Sequence, residues 1–151
     1  MKIISCCFLL TLGLLISCKK SVPSTDYSGT YTGNVEEYLM EPQGWSPYQS
    51  WPLQSIQISQ TGKAGMVSFS SNMTFRADSA IISGNMLQVP KTLVDSTPLG
   101  VSTVYFWYTF DVGTGTFSDS TLTIDLYENS VSSYSNTIGG SYHWTGILTK
   151  K

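Results

Sequence analysis

Apolar residues recur at every second position along most of the chain, the mark of strands with one buried face. On 27–39, Tyr27, Gly29, Tyr31, Gly33, Val35 and Leu39 share one face, opposite Ser28, Thr30, Thr32, Asn34 and Glu36. A second strand over 53–60 turns Ile56 and Ile58 inward, and 61–65 is a Gly-rich turn. Val67 and Phe69 alternate with serines, and Met73 and Phe75 follow after a break. Ile81 and Ile82 lead into Gly84-Asn85, a two-residue hairpin signal, with Leu87 and Val89 beyond it. Pro90 ends that strand or marks an edge, since proline cannot donate to a ladder.

Residues 92–100 read as a connection. The strongest strand follows over 101–112: Val104, Phe106, Tyr108, Phe110 and Val112 form one face, with Tyr105 and Trp107 on the other. A strand apolar on both sides is either covered by a second layer or exposes a sticky patch. Residues 113–115 read as a turn. Phe117, Leu122, Ile124 and Leu126 make the next strand around a kink at Asp119-Ser120, and 129–136 reads as a polar loop. On the last strand Ile138, Gly140, Tyr142, Trp144, Gly146 and Leu148 share a face.

Eight to ten strands and no helical period after residue 26 predict an all-β domain. Clean alternation with one polar face fits antiparallel pairing. Regularly spaced short strands fit a barrel or a sandwich, and no 20-to-50-residue repeat points to a propeller or solenoid.

The first residues follow a different pattern. Met1-Lys2 is a minimal positive start, and 3–16 is an apolar region of about 14 residues that no charge interrupts, too short for a spanning helix of about 20. Leu15-Ile16-Ser17-Cys18 then resembles the lipobox of bacterial lipoproteins. The resemblance implies a signal peptide over 1–17, cleavage after Ser17, diacylglyceryl transfer to Cys18 and acylation of the new amino terminus. Ile3-Ile4-Ser5-Cys6 spells the same motif but has no apolar run before it. Several acyl chains make a stable anchor where one is marginal. Lys19 in place of Asp resembles lipoproteins passed to the outer membrane, and the resemblance implies a lipid-anchored protein of the outer membrane in a Gram-negative envelope. Residues 18–26 are the lipidated cysteine and a polar tether. The remaining 27–151 form one domain, with no cysteine for a disulfide or thiol chemistry.

The domain resembles lipocalin-like (calycin) barrels. Asp26-Tyr27-Ser28-Gly29-Thr30-Tyr31-Thr32-Gly33 gives a Gly-x-aromatic opening strand, and Gly115-x-Phe117 before Leu122-Thr123-Ile124-Asp125-Leu126 resembles a hairpin of such envelope lipoproteins. Tyr142-His143-Trp144-Thr145-Gly146-Ile147-Leu148 echoes the first strand. The resemblance implies an antiparallel meander whose first and last strands pair and close the sheet. A Greek-key β-sandwich is the alternative. Residues 40–52 depart from the family as a long segment bearing Trp45, Tyr48 and Trp51 beside prolines.

Charge removes some functions. Between residues 21 and 149 three basic residues (Lys63, Arg76, Lys91) face ten acidic ones, so no basic patch exists for nucleic acid. Catalytic equipment is sparse. His143 is the single histidine and sits with Ser141, Thr145 and Ile147 on a polar face, as a solvated surface residue would. No Gly-x-Ser-x-Gly elbow is present, and no ligand set for a metal or other cofactor is apparent. Glu36 and Glu37 point to opposite faces and cannot act as a glycosidase pair. Asp119, Asp125 and Glu128 read as turn and outer-face positions. Glu37 shares the parity of the apolar face: it either reaches solvent near the strand end or needs a partner such as Arg76 or a tyrosine hydroxyl.

The expected function is therefore non-catalytic: a membrane-anchored envelope lipoprotein binding a small apolar ligand or an envelope partner at a barrel mouth. Trp45, Tyr48, Trp51, Tyr105, Trp107 and Glu37 are the candidate ligand-binding residues. The rival is a glycan-binding or adhesion-type sandwich stacking sugar on Trp45, Tyr48, Trp51 and Trp107.

Overall fold

The computed structural model describes residues 25–63, 65–99, 105–135 and 138–151. The signal segment, the lipobox with Cys18, most of the tether and residues 101–104 lie outside the described residues. Eight strands follow in order: β1 (Gly29–Glu41), β2 (Gly44–Gln60), β3 (Met66–Ser71), β4 (Ser79–Ser83), β5 (Met86–Pro98), β6 (Phe106–Ser118), β7 (Thr121–Ser132) and β8 (Ile138–Lys150). Each pairs antiparallel with the next, and β1 pairs with β8, so the meander is a closed barrel. This is the lipocalin-like architecture expected above, and closure excludes the sandwich. Closure pairs both edges of the sheet at the β1–β8 seam, while 44–55 of β2 and 89–98 of β5 extend past the short β3 and β4 with one neighbour each.

β1 and β8 approach tightly where they seal the sheet. A Cβ added to Gly146 would lie 2.5 Å from the Asn34 carbonyl oxygen, so the seam needs glycine there. Alternation sends Tyr31, Val35, Ile56, Ile58, Val67, Phe69, Leu87, Val89, Leu122, Ile124, Leu126, Trp144 and Leu148 into one buried core. Each such side chain fully removed from water contributes roughly 1.5–3 kcal/mol. At the end where the described chain begins at residue 25 and ends at residue 151, Tyr27 stacks on Phe117 at 4.1 Å and Tyr31 tilts against the same ring. These rings close that end.

Four readings of element boundaries need correction. The segment 40–52 is not a loop but the far part of a β1–β2 ribbon, paired to Glu41↔Gly44. Pro42 lies in the turn between β1 and β2, and Pro47 and Pro52 fall at or beside two register shifts, where bulges absorb a residue that cannot donate to the ladder. Likewise 92–98 belongs to β5, with Pro90 in a bulge between Val89 and Thr92. Residues 113–115 do not turn the chain: β6 runs through them, and the turn is at Asp119, which has positive φ. The strand β7 also continues to Ser132, into the supposed polar loop.

The apolar row of β6 is the outer one. Asp111, Gly113, Gly115 and Phe117 are the buried positions, while Phe106, Tyr108, Phe110 and Val112 are half-exposed. Glycine faces inward because neighbouring leucines fill its space: a Cβ on Gly113 would lie 2.5 Å from Leu126 Cδ2, and one on Gly115 2.9 Å from Leu122 Cδ1.

Candidate functional site

The end opposite the termini is built differently. β3 and β4 are short, so the wall there is low, and the chain between them (residues 72–78) crosses into the barrel. Phe75 is buried and meets Phe69 and Trp144 edge-on, at 5.8 and 6.0 Å. Two polar clamps hold this segment. On β2, the Ser55 amide donates to Asn72 Oδ1 at 2.7 Å, and the Asn72 amide returns a bond to the Ser55 carbonyl. On β6, the Asp111 carboxylate accepts the backbone amides of Arg76 and Ala77 through one oxygen, the latter at 2.9 Å. Asp111 is fully buried, and its Oδ1 has no hydrogen-bond partner. Burial pushes its carboxyl above the usual carboxylate value, against the two amide bonds and the Arg76 charge.

Above this plug the mouth is polar and largely open to solvent. The Arg76 guanidinium lies 3.3 Å from Asp95 and 3.6 Å from Glu128. Glu128, read from sequence as an outer or turn position, is instead across β6–β7 from buried Asp111. Burial raises its carboxyl first, then the charge of Asp111, with smaller contributions from Asp95 and Glu37. Four carboxyls thus share the mouth with one guanidinium.

Glu37 is 6 % exposed and faces inward. Of the two sequence alternatives, the solvent-reaching one fails. Its partner is neither Arg76 nor a tyrosine: the Trp51 Nε1–H donates to Oε2 at 2.6 Å. Between this pair and the plug lies a half-open cavity of about 150 Å³, lined by Glu37, Trp51, Gln54, Asn72, Met73, Thr74 and Trp144. β1 pairs Glu37 with Trp144 of β8, which sets the carboxyl beside the indole.

The other candidate aromatics are elsewhere. Trp45 lies outside the barrel, 5.9 Å from Tyr127 and 5.4 Å from His143. Tyr48 is exposed at a bulge between Gln49 and Pro47. Tyr105 meets Tyr134 edge-on at the rim, and the Trp107 ring covers Gly139. Trp45, Tyr48, Trp51 and Trp107 therefore form no common stacking platform. Glu37 and Trp51 are the two candidates brought together. Trp144, Met73 and Asn72 were missed as site residues, because their sequence signals mark core and loop.

His143 is on the outer wall as expected, but it is not simply solvated. Its side chain is 18 % exposed, its Nε2 is 2.5 Å from Asp125 Oδ1, and its ring stacks on Tyr127 at 4.2 Å. Burial, then the neighbouring Asp125, push the Tyr127 phenol up. Among the described residues no three of His, Cys, Asp and Glu converge to hold a metal ion. In comparisons with known proteins, no family model, curated protein or solved structure matches this chain.

Proposed function

We infer that this protein is a non-catalytic, lipid-anchored envelope protein that binds a small ligand, or the end of a larger one, at the open mouth of its barrel. The observation that carries the reading is the contrast inside the barrel. The half next to the termini is filled by Tyr31, Phe69, Phe117 and Leu148, whereas a half-open cavity remains beside Glu37 and Trp51. A cavity of about 150 Å³ suits a benzene-sized group, below the roughly 300–1,000 Å³ of sites that enclose a larger molecule. An apolar ligand would therefore enter by its end. The non-catalytic part is supported by His143, whose recorded neighbours are a carboxylate and aromatic rings on the outer wall, away from the mouth.

Anchoring rests on the lipobox resemblance at Cys18. Mass spectrometry of the mature chain is expected to find the acyl mass on a peptide starting at Cys18, lost in Cys18→Ser; an unmodified peptide continuing from Ser17 into Cys18 would remove the anchor. Native mass spectrometry of the full chain in mild detergent tests the mouth. A bound small molecule that leaves when Trp51→Ala opens the cavity supports binding, and repeated recovery of an empty chain after incubation with envelope extract removes it.

A further inference from the structure

We propose that the mouth cavity receives the ammonium head of a small organic amine, with Glu37 as its counter-ion and Trp51 and Trp144 as its walls. This rests on the mouth-binding reading and names the ligand's chemical class.

Glu37 as a residue is only 6 % exposed, and burying a carboxyl without full pairing is costly. Trp51 satisfies Oε2 alone. Among the described residues no donor is recorded for Oε1, yet this oxygen is not sealed off: the residue lines the half-open cavity. The protein's own nearby cation is committed elsewhere, since Arg76 reaches Asp95 and Glu128. One carboxyl oxygen at the cavity wall is thus left for a donor from outside, and a charged donor makes the stronger bond.

The walls favour the same guest. Indole rings present electron-rich faces, which attract a cation where water is partly excluded. Trp51 and Trp144 are both in the lining, and Met73 adds a soft apolar contact. The field of the mouth has the matching sign, because Glu37 and Asp95 already outnumber Arg76, and Glu128 and Asp111 add to them to the extent that they ionise. The same field disfavours carboxylate or phosphate ligands, and the volume limits the enclosed part to a small head with a short stem.

The test titrates the full chain, purified in mild detergent, with n-butylammonium, tetramethylammonium, n-butanol and butyrate. The Trp51 indole N–H is followed by NMR and assigned with Trp51→Phe. n-Butylammonium is expected to move this resonance saturably, with tetramethylammonium, which carries the charge but no N–H for Oε1, weaker, and butanol and butyrate at least tenfold weaker. Glu37→Gln keeps an acceptor for Trp51 while removing the charge, and should weaken n-butylammonium by about tenfold or more. A native-like spectrum elsewhere shows that this variant is folded; if it is not, Trp144→Phe, which keeps a ring but thins the wall, should lower ammonium affinity severalfold. Equal binding of butanol and n-butylammonium, unchanged by Glu37→Gln, would overturn the ammonium assignment and leave the mouth as a ligand site. Failure of all four probes to move the indole would overturn the assignment, and, with an empty chain by native mass spectrometry, the mouth-binding reading with it.

Discussion

The two ends of the barrel are made by the same strands but solve opposite problems. Near the termini, β1, β6 and β8 send Tyr31, Phe117 and Leu148 inward, and Tyr27 completes the closure by stacking on Phe117. Toward the mouth, the same three strands send Glu37, Asp111 and Trp144 inward, and the opening is narrowed by residues 72–78 rather than filled by strand side chains. One end is held by area removed from water, the other by a few directed bonds. The first kind of stabilisation tolerates small rearrangements, whereas the second depends on single atoms such as Asp111 Oδ2.

The comparison can be broken most directly at the residue both halves share. Trp144 is 1 % exposed and touches Phe75 of the plug and Tyr142 above it. Trp144→Ala should cost about 3–5 kcal/mol in urea unfolding. Tyr142→Ala, half-buried at the mouth, should cost less than half of that. Equal losses would mean that the mouth is packed as tightly as the core.

The seam is the next largest test. Gly146→Ala forces a Cβ against the Asn34 carbonyl and should cost about 1–3 kcal/mol. A neutral result would show that β1 and β8 can part without consequence, and closure would lose its energetic role.

The plug can be released through its acceptor. Asp111→Ala leaves the Arg76 and Ala77 amides without their partner and should cost about 1–3 kcal/mol near neutral pH, with faster hydrogen exchange confined to residues 72–78. Its titration sharpens the point. The folded-state value of Asp111 is raised above its unfolded value near 3.8, mainly by burial. Folding therefore favours its protonated form. This favourable contribution is complete below the unfolded value and is lost as pH rises through the folded one. The stability of the native chain relative to Asp111→Asn should shift in favour of the native chain as pH falls toward about 4. The absence of any shift would place Asp111 in water, and a shift in the other direction would mean that the two amide bonds and the Arg76 charge outweigh burial.

The smallest effect is expected on the outer wall. His143→Ala removes a stacked ring and the contact with Asp125, and should cost about 1 kcal/mol without altering the plug or the cavity. A loss as large as that of Trp144→Ala would mean that the outer cluster of Tyr38, Trp45, Tyr127 and His143 holds the mouth open.

Alternation in the sequence determined much of this molecule. The period of two over Tyr31–Gly33–Val35 and Tyr142–Trp144–Gly146–Leu148 follows from the pleat, because successive side chains must leave opposite faces. The hairpin at Gly84-Asn85 follows from the left-handed backbone that glycine accepts there. The exclusion of a basic binding surface follows from counting charges. Tertiary structure decided where alternation is silent. Which row of β6 faces inward depends on leucines of β7 that need the space above Gly113 and Gly115, and no local pattern carries that information. Prolines at 47, 52 and 90 looked like loop signals because a bulge is a property of two paired strands, not of one. The mouth was legible only in part. Glu37 and Trp51 could be singled out as unusual, but their hydrogen bond, and the cavity shared with Trp144 and Met73, exist because closure brings β8 to β1 and the 72–78 segment folds inward.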